Sequence, residues 1–245
     1  MSINVIVNGA DGKMGSTTIA AIKNENDLKL VAQTSRHDDL AQTIQKYKAA
    51  VVIDFTLPES VFENTKTILN AGARPVVGTS GLSVQEVEAL SKISREKKLG
   101  GIIAPNFSIG AILMMRYAQD AAKYFPDVEI IEMHHPHKVD APSGTAQKTA
   151  EMIAKTKKQK NTSAPIDEKL QGNAARGKNY QDTPIHAVRL TGLFASQKVI
   201  FGSQGEIFTL QHDAIDRNAM MPGVFLCCRE VMALDHLVYG MEDLL

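Results

Sequence analysis

Short apolar runs alternate with helical stripes through the first part of the chain. Five runs have the length and apolar content of buried strands: 3–7, 28–33, 50–54, 75–78 and 101–104. Between the later runs, apolar positions recur every three or four residues, at 61–69 and again at 84–93. Because strands that alternate with helices pair in parallel and are covered on both faces, we predict a doubly wound parallel sheet.

The pattern changes after Asn106. Residues 109–124 are apolar on nearly every side of a helix, which predicts a helix buried between other elements, and 128–133 is a strand. Three later runs look like antiparallel strands joined by turns at glycines: 185–191, 198–201 and 206–211. A helical stripe follows at 224–234. We therefore predict a second, α+β domain with a mixed or antiparallel sheet.

A polar, lysine-rich segment lies between 155 and 183. The helix that begins near Ser143 is expected to end in the lysines at 155–160, and the residues after it are most simply a long loop. Arg176 and Lys178 could reach an acidic ligand from this loop.

A glycine-rich turn follows the first strand. Gly9, Gly12 and Gly15 precede a helix, an arrangement that lets the backbone approach a pyrophosphate at the helix N-terminus. The spacing is Gly-x-x-Gly-x-x-Gly, and Asp11 adds a negative charge, so a glycine turn without a ligand stays an alternative from the motif alone. Combined with the parallel sheet, the motif predicts a Rossmann-type dinucleotide-binding fold.

The end of the second strand bears on cofactor choice. Dinucleotide enzymes usually place an acid there for the ribose hydroxyls, whereas this chain has Ser35 and Arg36. Without a carboxylate at position 35, a ribose phosphate is not repelled, and Arg36 with Lys13 could bind it. The alternative is that Arg36 stacks on the adenine, which would serve either cofactor.

The densest chemistry lies in the stretch from Glu132 to Ala146. Three histidines, a lysine and two carboxylates fall within its first nine residues. Ser143 is a plausible N-cap, so the N–H groups of Gly144 and Thr145 would point out of the first helical turn and bind an anion. Lys138 adds positive charge, and histidines carry protons near neutral pH. The combination predicts a small acidic substrate that undergoes proton transfer.

Two alternatives to a proton-transfer role for these histidines are a metal site and an ordinary solvated surface. A metal site is not expected, because no cysteine lies near and a strand directs His134 and His135 to opposite faces. Solvated surface histidines are the second alternative, and the anion-ready helix start argues against it.

Composition narrows the classes of function. The chain has 245 residues, with 27 Lys and Arg against 27 Asp and Glu, so no net charge favours nucleic acid or an anionic membrane. A strand-like run begins almost at the N-terminus, without a leader pattern, and we expect a cytoplasmic protein. Cys227 and Cys228 are adjacent in a helical stripe and are expected to be reduced core residues.

With the glycine-rich turn and the His-Lys stretch described above, the chain resembles the dihydrodipicolinate reductase family over essentially its whole length. Members of this family are also called 4-hydroxy-tetrahydrodipicolinate reductases. The resemblance is carried by six stretches: 132–146, 9–15, 53–56, 78–80, 104–108 and 212–217. It implies an oxidoreductase of lysine biosynthesis through diaminopimelate, which uses NAD(P)H to reduce 4-hydroxy-tetrahydrodipicolinate to tetrahydrodipicolinate with loss of water. NADPH is the expected cofactor, and NADH could also serve.

The resemblance also implies roles for individual residues. His134 and Lys138 take the catalytic positions, and the substrate-binding positions are His135, Gly144 and Thr145. The cofactor-binding positions, with Ser35 and Arg36 added from the argument above, are Gly9, Ala10, Asp11, Gly12, Lys13, Met14, Gly78, Thr79, Ser80, Ala104, Pro105, Asn106 and Phe107. The family implies a dinucleotide-binding domain from both chain ends, 1–106 with 213–245, a central substrate-binding and oligomerisation domain, 107–212, and a homotetramer.

Three departures from the family pattern are visible. The segment between Arg36 and Val51 is short, Ser35 replaces an acid that many members have, and Gln197 stands where many have histidine. The first two bear on cofactor choice and the third on the central sheet. Two other functions stay as alternatives to the reductase. One is a dinucleotide-binding sensor, which the intact set of His134, Lys138 and Gly144-Thr145 argues against, and the other is a different dehydrogenase of small acids.

Overall fold

The computed structural model describes residues 2–160 and 174–245. Contacts between Cα atoms divide the chain into two compact units, Met1–Ser108 with Arg217–Leu245, and Ile109–Asp216. Among the described residues, every helix is too short or too polar to cross a membrane.

Strands and helices alternate through much of the described chain. The strands are β1 Ile3–Asn8, β2 Leu28–Thr34, β3 Val51–Asp54, β4 Arg74–Val77, β5 Gly101–Ile103, β6 Asp127–His134, β7 Lys178–Tyr180, β8 Thr183–Arg189, β9 Ala195–Ser203, β10 Glu206–Ala214 and β11 Leu237–Tyr239. The α-helices are α1 Lys13–Ala21, α2 Leu40–Tyr47, α3 Pro58–Asn70, α4 Val84–Lys97, α5 Ile109–Ala121, α6 Gly144–Lys160 and α7 Met221–Glu230.

The first unit is built on a parallel sheet with the strand order β11-β5-β4-β3-β1-β2. Each neighbouring pair in it is parallel. The five predicted strands are confirmed to within one or two residues. Their side chains are buried almost continuously, as at Val5, Ile6 and Val7, because helices cover both faces. The chain turns in opposite directions from β1, to β2 on one side and to β3 on the other, and ligands of such sheets bind at that point.

Two elements of this unit were not predicted. Helix α2 begins at an N-cap, Asp39, whose side chain accepts a hydrogen bond from the N–H of Gln42 at 2.9 Å. Strand β11 pairs with β5 at the edge of the sheet. It has three residues, too few to show a period, so its pairing depends on tertiary contact.

The second unit holds a mixed sheet with the order β10-β9-β6-β8-β7. Strands β9 and β10 form the predicted antiparallel hairpin. The run at 185–191 was expected to pair antiparallel with the strand that follows it, and this expectation was wrong. Strand β6 lies between β8 and β9, and it pairs in parallel with β8. Which strand fills that place depends on the packing of β6, which lies far earlier in the chain.

Helices α5 and α6 pack on one face of the mixed sheet. The core there includes Ile130 from β6, Ile153 from α6 and Phe201 from β9, each 0% exposed. The prediction that α5 is buried on nearly every side was too strong, because Tyr117 is 58% exposed. Gln197, also in this core, donates a hydrogen bond to Thr149 Oγ1 at 2.8 Å.

The polar segment is described only in part. Helix α6 is described as far as Lys160, and residues 161–173 of the predicted loop lie outside the described residues. Lys178 belongs to β7 rather than to a loop. Arg176 forms an ion pair with Glu129, and its contact with an acidic ligand stays a prediction.

The two cysteines are core residues of α7, as predicted. Burial raises the pKa of the Cys227 thiol to about 12 and that of Cys228 well above its ordinary value. Both thiols therefore stay protonated and unreactive near neutral pH.

Candidate functional site

Buried hydrogen bonds join the carboxyl ends of four neighbouring strands in the first unit. Thr34 Oγ1 donates to Asn8 Oδ1 at 2.8 Å, and Asn8 Nδ2 donates to Asp54 Oδ2 at 2.7 Å. The other oxygen of Asp54 accepts from Thr79 Oγ1 at 2.9 Å and from Thr56 Oγ1 at 2.7 Å. This network holds the loops after β1 to β4 in fixed relation to one another. No role was predicted for Asn8 and Asp54, although a polar residue at the end of an apolar run could have indicated such a network.

The glycine-rich turn from β1 into α1 has room for backbone alone at two glycines, Gly9 in the loop and Gly15 in the first turn of the helix. A Cβ on Gly9 would lie 2.3 Å from the carbonyl oxygen of Phe55, and Gly9 has a φ of +83°. A Cβ on Gly15 would lie 2.1 Å from the carbonyl oxygen of Gly9. Gly12 is the N-cap of α1, and among the described residues no side chain caps this helix. The exposed N-terminus of α1 therefore suits a pyrophosphate, which these residues would hold.

The other predicted cofactor residues of this loop are Ala10, Asp11, Lys13 and Met14. Asp11 and Lys13 are exposed, while Ala10 and Met14 are half-buried. The loop thus presents one acid and one base to solvent beside the helix start.

The segments predicted to meet the nicotinamide are held by an aromatic pair. The rings of Phe55 and Phe107 meet edge to face, with centroids 5.8 Å apart. A Cβ on Gly78 would lie 2.2 Å from the Phe55 ring and 2.7 Å from the Phe107 ring, so this position also requires glycine. Phe107 is buried, which leaves its side chain a packing role.

The remaining residues of these two segments differ in exposure. The side chains of Thr79 and Ala104 are buried, whereas Ser80 and Pro105 are exposed. Asn106 Oδ1 accepts a hydrogen bond from the N–H of Ser108 at 2.8 Å, which shapes the turn after β5. Contacts from Thr79 and Ala104 to a ligand would therefore come mainly from the backbone.

The end of β2 carries a carboxylate that sequence analysis did not place there. Asp38 Oδ2 accepts hydrogen bonds from the N–H of Ser35 at 2.7 Å and from Ser35 Oγ at 3.1 Å. Arg36 between them is exposed. The expectation that no carboxylate lies at this strand end was wrong, because the turn after β2 folds Asp38 back onto Ser35.

In the second unit, the predicted catalytic histidine belongs to a buried charge network. His134 Nδ1 lies 2.6 Å from Glu132 Oε2, on the same face of β6 and two residues away. Two nitrogens of the Arg189 guanidinium donate to the two oxygens of Glu132, at 2.8 and 2.9 Å. The N–H of Ser143 donates to Glu132 Oε1 at 3.1 Å. Glu132 is 0% exposed, so its carboxylate is shielded from water.

Glu132 is ionised in this network. Burial is the largest influence and raises the pKa of its carboxyl, but the hydrogen bonds from His134 and Arg189 together outweigh burial, and the pKa is lower than the ordinary value. The hydrogen bond with Glu132 is also the largest cause of the raised pKa of Arg189. The pair therefore carries opposite charges at neutral pH.

The loop after β6 contains an internal anion at the predicted substrate position. Lys138 Nζ donates to both oxygens of Asp140, at 2.7 and 3.0 Å. The hydrogen bond from Lys138 is the largest cause of a lowered pKa for Asp140, and the backbone N–H of Gly144 is a further donor to it. Lys138 and Gly144, predicted to face the carboxylate of a substrate, meet the carboxylate of Asp140 within the chain.

The start of α6 has the predicted capped form. Ser143 Oγ accepts a hydrogen bond from the N–H of Ala146 at 3.2 Å, which confirms Ser143 as the N-cap. Gly144 is exposed, and no described heavy atom lies within 4 Å of where its Cβ would stand. Thr145, the next residue, is half-buried. The ring centroids of His135 and His137, in the loop before the helix, are 6.2 Å apart. The Cα of Gly144 therefore faces open space, while its N–H meets Asp140.

Within 2–160 and 174–245, no three His, Cys, Asp or Glu side chains lie close enough together to hold a metal ion.

Arg189, a neighbour of the predicted catalytic histidine, was not predicted from the sequence. It lies opposite His134 in the register of β8 and β6, and nothing in the local sequence around Arg189 indicates that pairing.

The first unit defines the class of protein. A parallel sheet with a switch point between β1 and β3, a glycine loop leading into α1 and fixed strand-end loops are the features of a dinucleotide-binding domain. The chain is accordingly an NAD(P)-binding protein.

Comparison with known proteins identifies the family. Residues 3–107 match the family model described as dihydrodipicolinate reductase, N-terminus, and residues 110–245 match that described as dihydrodipicolinate reductase, C-terminus. The chain is 57% identical to a 4-hydroxy-tetrahydrodipicolinate reductase of Coxiella burnetii and 51% identical to one of Legionella pneumophila, in both cases over 100% of each chain. The chain therefore belongs to the dihydrodipicolinate reductase family.

A solved structure supports the same assignment. The dipicolinate-bound dihydrodipicolinate reductase from Paenisporosarcina sp. TG-14 superposes with a TM-score of 0.90 at 40% identity, and the match covers 100% of both chains.

Proposed function

We propose that this protein reduces 4-hydroxy-tetrahydrodipicolinate to tetrahydrodipicolinate, with loss of water, in lysine biosynthesis through diaminopimelate. The observation that carries the proposal is 57% identity, over both whole chains, to a protein named for this reaction. A hydride and one proton are consumed, the hydroxyl leaves as water, and NAD(P)H supplies the hydride when bound.

The substrate is a cyclic dicarboxylate, and the start of α6 offers donors for a carboxylate. The N–H groups of Gly144 and Thr145, with His135 and Lys138, are the proposed contacts. Asp140 now accepts from two of these donors. A substrate carboxylate would therefore replace the carboxylate of Asp140 on Lys138 and Gly144. The dipicolinate ligand of the Paenisporosarcina protein, itself a dicarboxylate, is consistent with such a site.

His134 and Lys138 are proposed as the catalytic residues. Both lie in or next to the loop that leads into α6, and both can donate a proton. His134 transfers a proton to the reacting ring, and Lys138 stabilises negative charge on it.

NADPH is the proposed preferred cofactor, with NADH also accepted. The start of α1 would hold the pyrophosphate, and Arg36 and Lys13 would contact a ribose phosphate. Asp38 weakens this argument, because its carboxylate lies at the same strand end as Ser35. Arg36 carries a full positive charge on an exposed side chain, while the carboxylate of Asp38 is already engaged by the N–H and hydroxyl of Ser35, and for that reason we retain the preference.

Three further properties belong to the proposal. The dinucleotide-binding domain comprises 1–106 with 213–245, and the substrate-binding and oligomerisation domain comprises 107–212. The assembly is a homotetramer, and the location is the cytoplasm. Family membership supports both the assembly and the location.

The test is a coupled assay in which the synthase product is supplied with NADPH or NADH. Wild-type protein should oxidise the cofactor only when that product is present. His134→Ala and Lys138→Ala should each lower kcat by about two to four powers of ten, with little change in cofactor affinity.

Matched controls are His186→Ala on β8 and Lys148→Ala on α6, which remove the same side-chain types elsewhere in the second unit. Both should keep wild-type kcat. Wild-type protein that binds the cofactor but does not reduce the product would overturn the proposal and favour the dinucleotide-binding sensor or another dehydrogenase.

A further inference from the structure

The acceptor capacity of Glu132 is filled by four donors from different parts of the second unit. One oxygen meets an Arg189 nitrogen and the Ser143 N–H, and the other meets the second Arg189 nitrogen and His134 Nδ1. A carboxylate accepts and does not donate, and a guanidinium donates and does not accept. The proton in the contact between Glu132 and His134 must therefore lie on Nδ1 of the histidine.

We propose that Glu132 is a positioning residue that keeps the proton of neutral His134 on Nδ1, so that Nε2 is the nitrogen that exchanges a proton with the substrate. This inference rests on the proposed function. When His134 gives up its Nε2 proton, the neutral ring is left in the tautomer that Glu132 favours.

Arg189 makes the arrangement stiff. Its paired donation to both oxygens fixes the plane of the Glu132 carboxylate, and its Nε and Nη2 also donate to the backbone carbonyls of Lys138 and Asp140. The guanidinium thus ties the carboxylate that orients His134 to the loop that carries Lys138. The charged groups around the ring are Glu132 on its own strand, Arg189 on β8, and Lys138 with Asp140 in the following loop.

The opposite face of β6 offers a matched control. Glu129 has the same kinds of partner as Glu132, with His186 Nε2 at 2.8 Å and Arg176 in an ion pair. Its side chain is 34% exposed, against 0% for Glu132. Glu129→Gln therefore makes the same chemical change on the same strand, with one histidine and one arginine affected, away from the proposed reaction.

The first experiment is nitrogen NMR of the histidine rings in 15N-histidine-labelled protein, with His134 assigned by its loss in His134→Ala. In wild-type protein at mildly alkaline pH, His134 should show a protonated Nδ1 and an unprotonated Nε2. In Glu132→Gln, the amide can donate to Nδ1, so the Nε2-protonated tautomer should gain population. Glu129→Gln should leave the His134 signals unchanged. An unprotonated Nδ1 in folded wild-type protein would overturn the proposal, with no variant needed.

The second experiment separates kcat from KM. Glu132→Gln should lower kcat by about 10²- to 10⁴-fold while KM for the substrate changes by less than about tenfold. Glu132→Asp, which keeps the charge, should recover part of that loss, and Glu129→Gln should retain wild-type kcat. Wild-type kcat in a folded Glu132→Gln protein would show that His134 does not act through Glu132.

The outcomes distinguish this inference from the proposed function. A wild-type protein that fails to reduce the synthase product refutes the function, whatever the tautomer of His134. A wild-type protein that reduces the product, but whose His134 tautomer does not depend on Glu132, refutes the inference alone.

Discussion

Alanine at Gly9 should destabilise the protein far more than alanine at Gly72, although the two glycines have almost the same backbone. Their φ angles are +83° and +84°. Gly9 lies in the turn after β1, where a Cβ would stand 2.3 Å from the carbonyl oxygen and 2.7 Å from the carbonyl carbon of Phe55. At Gly72, between α3 and β4, no described atom lies within 4 Å of the same position. The pair therefore separates steric overlap from conformational strain.

The magnitudes follow from these two contributions. A left-handed backbone costs an alanine about 1–2 kcal/mol at either position. At Gly9 the overlap is with backbone atoms, which cannot rotate away, and overpacking of this kind adds about 1–3 kcal/mol. We expect a loss of about 2–5 kcal/mol for Gly9→Ala and about 1–2 kcal/mol for Gly72→Ala.

Urea unfolding followed by circular dichroism measures both losses, and a fluorescence titration measures dinucleotide binding. Because the overlap displaces the loop before α1, Gly9→Ala should also weaken dinucleotide binding by at least about tenfold, or about 1.4 kcal/mol. Gly72→Ala should bind the dinucleotide as the wild type does. Equal stability losses in the two variants, or unchanged binding in Gly9→Ala, would refute the steric reasoning.

Three other predictions concern charge. The pKa of Glu132 is lowered from 4.5 in the folded protein. The ionised carboxylate therefore stabilises the fold above pH 4.5, and this stabilisation is lost as the pH falls through the folded-state pKa. Glu132→Gln should accordingly flatten the decline of the urea midpoint in acid. Asp140→Asn should lower KM for the substrate severalfold in steady-state kinetics, since it removes a competing anion, and a raised KM would contradict this. The ratio of kcat/KM for NADPH over NADH should fall by about tenfold in Arg36→Ala and rise in Asp38→Asn; an unmoved ratio in Arg36→Ala would exclude its phosphate contact.

Local patterns in the sequence determined much of the first unit. Continuous apolar runs mark strands buried on both faces, and the stripes between them mark helices, because these periods come from the backbone geometry of each element alone. The glycine loop was recognisable for the same reason. Gly9, Gly12 and Gly15 lie within seven residues, so their close packing at the start of α1 involves few other parts of the chain. Ser143 as an N-cap was likewise a local property.

The tertiary structure decided how distant segments meet. The insertion of β6 between β8 and β9, and the three-residue β11 at the sheet edge, leave no periodic signal in the sequence. Even Asp38, three residues from Ser35, was placed beside it by the geometry of one turn.

The network around His134 shows the division most clearly. The sequence by itself placed His134 and Lys138 in one dense stretch, next to a helix start suited to an anion. It did not indicate that Arg189, 57 residues after Glu132, would bind that carboxylate with both arms of its guanidinium. That contact exists because β6 and β8 pair in one register, and the register of a strand is set by which side chains the whole sheet must bury rather than by its own residues.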